Sequence, residues 1–284
     1  MIVEGMCQAA AARTEGISVS TLRRWTERAA QFAREFHDRT IRNVEPIEIQ
    51  IDELRGHGRK KDDRLFVFAS LVVSPRLWIA NTVGRRTRRS CRLILRETRN
   101  RCAAVGRRAL IVTDPFKFYA PEVRKTWGRT SLHAESGKII RRNRIVRVNN
   151  ELVWGTEEQL EEVLERCEDS KQVNTSFVER LNLTMRRSLA CLHRRTSSAA
   201  RDAQTLGQKI DLLQCYYNFV RPHGSLKFGR EVRTPAQQAG LVSRRLRLRD
   251  IFMAFRPWAR VPWIVDEGVR KAWGARDVCP DNNT

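Results

Sequence analysis

Pro46-Ile47-Glu48-Ile49-Gln50-Ile51-Asp52-Glu53-Leu54 sets isoleucine at every second position and a polar residue between each pair. That is the two-residue period of a half-buried strand, and Asp52 stands where the alternation ends. Leu65 to Val73 and Leu77 to Val83 predict two further strands, with Ser74-Pro75-Arg76 as the hairpin turn between them. Ala109-Leu110-Ile111-Val112-Thr113 is continuously apolar, as expected of a central strand covered on both faces. Shorter strands are expected near Ser131-Leu132 and from Ile139 to Val148. Helical patterns occupy Arg88 to Arg101, Pro121 to Trp127, Glu157 to Glu168 and Ser176 to Arg195. A last one follows Thr205, carrying Ile210, Leu213, Tyr216, Tyr217 and Phe219 and ending at Arg221-Pro222-His223-Gly224. This order predicts an α/β protein with one mixed sheet flanked by helices.

Ahead of Pro46 the chain reads as helical. Val3 to Arg13 is expected to form a short helix, Gly16 a left-handed turn position, and Ser18 or Ser20 the cap of a second helix through Leu22, Trp25, Ala29 and Phe32. That is the outline of a helix-turn-helix, with Thr21, Arg23 and Arg24 as the candidates to face a DNA groove. An ordinary helical hairpin with Leu22 and Trp25 packed inward fits the same residues. The expected division is therefore 1–44 for this segment, 45–241 for the α/β core and 242–284 for a basic appendage. The appendage alternates arginine with apolar residues from Arg244 to Arg249 and holds Trp258, Trp263 and Trp273.

The 284 residues contain 54 Lys+Arg against 32 Asp+Glu, a formal charge of +22. A hydrophobic share of 41% supplies a packed core, which separates this chain from a disordered basic tail. The excess is mostly arginine, whose fork suits bidentate phosphate contacts, so nucleic acid is the first partner to consider. The seven cysteines form no CxxC pair and are odd in number, which excludes a complete disulfide framework and any zinc-ribbon spacing. Reduced thiols point to the cytoplasm. No apolar run is long enough to span a membrane.

Three acids stand out by position. Asp52 ends the first strand, Asp114 directly follows the apolar central strand, and in open α/β sheets ligands bind at the carboxyl ends of strands. Glu179 lies near the start of the Ser176 helix, and Asn182 and Arg186 share its face. Carboxylates are the ligands Mg²⁺ prefers, and two such ions suit phosphoryl transfer. Each acid also has a plain structural reading. Asp52 fits a strand end and Asp114-Pro115 a turn initiator. Ser176-Phe177-Val178-Glu179 fits a capping box, with Glu179 satisfying a backbone N–H.

Taken in order, Glu48 to Leu54, Val112-Thr113-Asp114 and Asn174 to Asn182 resemble the three acidic motifs of DDE transposases. Gly84-Arg85-Arg86-Thr87, Arg194-Arg195-Thr196, Tyr217-Asn218-Phe219-Val220-Arg221-Pro222-His223, Leu226 and Thr234-Pro235-Ala236 resemble further segments of bacterial insertion-sequence transposases of that class. The resemblance covers roughly Gly16 to Leu241. It implies an RNase H-like, integrase-type core with an N-terminal helix-turn-helix. It also implies cleavage of 3′ ends and strand transfer on double-stranded DNA, both element ends and target. Asp52, Asp114 and Glu179 would be the catalytic residues, holding two Mg²⁺ (or Mn²⁺) ions. Thr21, Arg23, Arg24, Asn182 and Arg186 are the expected DNA-binding residues. A homo-oligomer on DNA follows from the need to pair two ends, and a nucleoid-associated place in the cytoplasm from the substrate. Arg55 and Pro115 depart from the family's usual aromatic and glycine, and the zinc ribbon that precedes the helix-turn-helix in many relatives is not expected here. The alternatives are a non-catalytic DNA-binding relic or regulator, and an RNase H-fold nuclease without strand transfer. His223 is read either as assisting near the site or as fixing the turn behind the catalytic helix.

Overall fold

A computed structural model describes residues 1–56, 64–103, 108–141, 144–194, 196, 198–200, 202–255, 261–265 and 268. Arg195, Trp258, Trp273 and Cys279, which figured in the sequence reading, lie outside the described residues. In chain order the elements are α1 (Gln8–Thr14), α2 (Val19–Thr40), β1 (Glu48–Arg55), β2 (Phe66–Val72), β3 (Leu77–Gly84), α3 (Arg88–Arg101), β4 (Ala109–Thr113) and α4 (Tyr119–Trp127). Then come β5 (Ser131–Arg141), β6 (Arg144–Trp154), α5 (Glu157–Arg166), α6 (Ser176–Ser188), α7 (Ala203–Phe219) and α8 (Pro235–Gln238), with α9 (Leu248–Met253) last. The protein is mixed α/β, as the hydrophobic periods predict.

Six strands form one mixed sheet in the order β3-β2-β1-β4-β5-β6. β1 is antiparallel to β2 and parallel to β4, and β4 is parallel to β5. β4 is buried along its whole length, which explains its unbroken apolar run: helices cover both faces of a central parallel strand. Two clusters of buried side chains flank the sheet. The larger runs from Val3 to Ile264 and takes in α2, α3, α6 and α7; the smaller joins β4 and β5 to α5.

Several boundaries differ from the sequence reading. The expected short strands at 131–132 and 139–148 are one long antiparallel hairpin, β5 with β6, and its outer residues Ile139, Val146 and Val148 are exposed. Exposed valines do not mark a buried face, so alternation alone hid the hairpin's length. The helix from Ser176 stops at Ser188, followed by a 3₁₀ turn at Ala190–Leu192. The first helix is broken as well. Gly5 adopts φ 90°, separating a 3₁₀ turn at Ile2–Glu4 from α1. Asp52 does not end its strand, because β1 runs on to Arg55.

α2 begins as expected, with the Ser18 hydroxyl accepting from the Thr21 N–H at 3.0 Å and Gly16 at φ 64°. Its later turns bury Ala30, Ala33 and Phe36 against the core, and Phe36 meets Phe219 of α7 edge to face at 5.0 Å. Trp25 is 54% exposed, so it does not pack inward as the hairpin alternative required. The described residues of the C-terminal segment dock on this layer too. Phe32 of α2 packs against Phe252 and Phe255, and Val242 pairs with Ile264. Residues from 1–44 and from 242–255 and 261–265 thus share the larger cluster with the sheet. One glycine is sterically required: at Gly155, φ 122°, an added Cβ would lie 2.4 Å from Leu132 in the turn that brings α5 back onto the sheet.

Candidate metal centre

The parallel register sets the site. β1 and β4 pair with Ile51 opposite Thr113, so the residues that follow, Asp52 and Asp114, come side by side. Glu53 turns toward the same place. Carboxylate oxygens of Asp52, Glu53 and Asp114 all lie within 4.8 Å of one another. Oxygen-only donors at this spacing suit a hard divalent cation such as Mg²⁺ or Mn²⁺. Asp114 Oδ1 is buried and has no hydrogen-bond partner among the described residues, which leaves a ligand atom free. The donor chemistry and this orphaned oxygen fit a metal.

Neighbouring side chains hold the carboxylates. Asn182 of α6 donates to Asp52 Oδ2 at 2.8 Å, and the Glu53 N–H donates to Asp52 Oδ1 at 2.8 Å. The Tyr119 hydroxyl donates to Glu53 Oε2 at 2.9 Å. Arg86, in the turn after β3, bridges Glu53 and Asp114, reaching Asp114 Oδ2 at 2.7 Å, and its guanidinium lies over the Phe116 ring at 4.0 Å. One cation therefore faces three acids.

That imbalance appears in the acidities. Burial, then the charges of Asp114, Glu53 and Glu179, push the Asp52 carboxyl up to about 7. Burial and Asp114 raise Glu53, and burial raises Asp114 against the opposing pull of Arg86. A buried set of like charges is held out of its ionised form until a cation balances it.

α6 crosses the sheet beside this cluster, and a residue of β1 fixes where it starts. Gln50 Oε1 accepts from the N–H groups of Phe177 and Val178 at 3.0 and 3.1 Å. The capping box that Ser176 to Glu179 offered as a plain structural reading is absent. Thr175 occupies the N-cap without a side-chain cap bond, because a side chain from the sheet already satisfies the helix's free donors. Glu179 is thereby released from any capping role. Its Oε1 instead accepts from the Thr175 hydroxyl at 2.7 Å and pairs with Lys138 of β5.

The structure brings Asp52 and Asp114 together and makes Glu53 the third acid of the tight cluster. Glu179 sits beside it, engaged with Lys138, near enough for its charge to raise Asp52. Asn182 is buried and orients Asp52. Arg186 is half-buried, donating to the Leu192 carbonyl at 3.2 Å. Thr21, Arg23 and Arg24 lie in the first turns of α2, with Arg24 exposed. Sequence reasoning missed Glu53, Arg86, Tyr119, Gln50 and Lys138 as contributors. Glu53 was adjacent to a flagged acid, but strand alternation assigns neighbours to opposite faces, and nothing local marks the others. His223 lies elsewhere, in the turn after α7: its N–H donates to the Arg233 carbonyl at 2.9 Å and its ring packs on Tyr217.

The described cysteines, Cys7, Cys91, Cys102, Cys167, Cys191 and Cys215, are all unpaired. Among the described residues no helix is long and apolar enough to cross a membrane. No model of a known protein family matches the chain, and the search of curated proteins likewise gives no match.

Proposed function

We propose that this protein is a DNA transposase of the DDE class, with an RNase H-like core and an N-terminal helix-turn-helix, acting on the nucleoid as a homo-oligomer. One observation carries the reading: Asp52 and Asp114 converge from adjacent parallel strands into a buried acidic cluster beside α6, the helix that bears Glu179. Sheet order, the acidic motifs and the +22 charge agree with it. Asp52, Asp114 and Glu179 would hold two Mg²⁺ or Mn²⁺ ions, with Glu53 as a further oxygen donor. Such ions would polarise the scissile phosphate and activate a water or a 3′-hydroxyl. The chain's own residues position the rest. Asn182 fixes the Asp52 carboxylate, Arg86 offsets charge on Glu53 and Asp114, and Lys138 holds Glu179. Arginines on the surface would bind the phosphodiester backbone.

The test is a strand-transfer reaction containing the protein, Mg²⁺, a pre-cleaved duplex carrying the DNA that flanks its coding sequence, and a target plasmid. A joined product is expected, and Asp52→Asn should abolish it while leaving DNA binding intact. Nicking without joining would assign an RNase H-fold nuclease instead. Binding with neither activity would leave a non-catalytic DNA-binding protein.

A further inference from the structure

A second cavity, of about 460 Å³, opens between α6, the end of α7 and the β2–β3 turn. That volume lies within the range of pockets that take small ligands. Its lining includes Arg76, Arg180, Arg187, Arg221 and His223, and among the described residues no carboxylate lines it. Arg76 is already neutralised by Asp169 at 2.7 Å and stacked on Phe177 at 4.2 Å. Arg180 and Arg187 are exposed and make no ion pair among the described residues, and Arg221 reaches only the Ser188 hydroxyl at 3.4 Å. Burial and the charges of Arg76, Arg221 and Arg180 push His223 down to about 4. Its ring is therefore neutral at pH 7 and meets Tyr217 edge to face, with the ring centroids 5.7 Å apart.

The helix joins this cavity to the acidic cluster. Arg180, Thr184 and Arg187 recur at helical spacing on one face of α6, while Glu179, Asn182 and Arg186 recur on another, about 130° away. We infer that the cavity is a second DNA contact: it seats one backbone phosphate on Arg180, Arg187 and Arg221, with the sugar and base against His223 and Tyr217. Guanidinium forks match phosphate oxygens bidentately, and the partly exposed His223 ring gives a nucleotide a surface that a free phosphate does not need. A strand held at the acids could continue across α6 into this cavity. The inference rests on the DNA-handling part of the proposed function and is independent of cleavage.

The experiment measures fluorescence anisotropy of a labelled single-stranded oligodeoxynucleotide, in EDTA, over a range of salt. Arg180→Gln/Arg187→Gln should weaken binding roughly tenfold at ~0.1 M salt and flatten the salt slope by about 0.7, the value for one phosphate contact on a single strand. Arg180→Lys/Arg187→Lys should recover most of that slope. Lys125→Gln/Arg129→Gln, an equal loss of exposed charge on and just after α4, should leave it nearly unchanged. Equal losses from both Gln pairs, or no loss from the first, would overturn the inference. So would inorganic phosphate raising the wild-type melting temperature as much as the oligonucleotide does, since that assigns a free phosphate ligand. The EDTA measurement involves no cleavage, so a missing cleavage activity would not be mistaken for a missing pocket.

Discussion

At Asp52, burial and the charges of Asp114, Glu53 and Glu179 all act against ionisation, and they raise the carboxyl to about 7. In the unfolded chain the group titrates near 3.9. The folded state therefore binds the extra proton between those values, and the stability this group contributes is present below about pH 4 and lost as pH rises to about 7. Asn mimics the protonated form. In EDTA, Asp52→Asn should melt at about the wild-type temperature at pH 4 and above it at pH 8. The expected gain is about 2–4 °C for ~1 kcal/mol in a domain of this size. A melting difference that does not change with pH would remove Asp52 as the source of the strain. Mg²⁺ should stabilise the wild type more at pH 8 than at pH 5, and should stabilise Asp52→Asn least. Asp52 and Asp114 were legible because Asp52 closes an alternating apolar pattern and Asp114 directly follows the apolar run of β4. Glu53 was not, since its role depends on the Tyr119 hydroxyl and the Arg86 guanidinium, which come from other parts of the chain.

α6 is held at its first turn by Gln50, a residue from the middle of β1. This single amide couples the helix carrying Glu179 and Asn182 to the strand carrying Asp52. Gln50→Leu should leave the Phe177 and Val178 N–H groups without acceptors and cost about 1–2 kcal/mol, read as a lower denaturation midpoint. It should also weaken divalent-ion binding, because Asn182 loses its fixed approach to Asp52; stability loss with unchanged ion affinity would separate the two. The sequence showed the helix and its acid, and the capping it offered as the alternative role for Glu179 was a local box with Ser176. A local pattern always offers a local partner, and here the acceptor comes from 127 residues away. The β5–β6 hairpin shows a related limit. Its edge strand presents Val146 and Val148 to solvent, so the usual inside–outside alternation is absent.

For the molecule as a whole, a charge of +22 governs association more than fold. Duplex affinity should fall by roughly 10³ or more between about 50 and 200 mM salt if six or more phosphates are contacted. A shallow dependence, measured by anisotropy across that range, would argue against DNA as the main partner. Arg23→Gln/Arg24→Gln should lower duplex affinity more than single-strand affinity if the start of α2 enters a groove, and both equally if those residues add only diffuse charge. The ranges expected to behave as three parts also meet at this scale. Val3, the sheet and Ile264 belong to one cluster of buried side chains.

Sequence alone determined the element types and their order, because hydrophobic period and apolar run length are local properties of the chain. It also marked Asp52 and Asp114 by their places at apolar segments, the first in an alternating strand and the second directly after an unbroken apolar run, but not that those strands are neighbours. Only the tertiary structure decided the parallel register that sets Ile51 against Thr113, the inclusion of Glu53, the pairing of Glu179 with Lys138, and the Gln50 cap. Those depend on side chains meeting across long stretches of chain, where no local spacing records which partner will arrive.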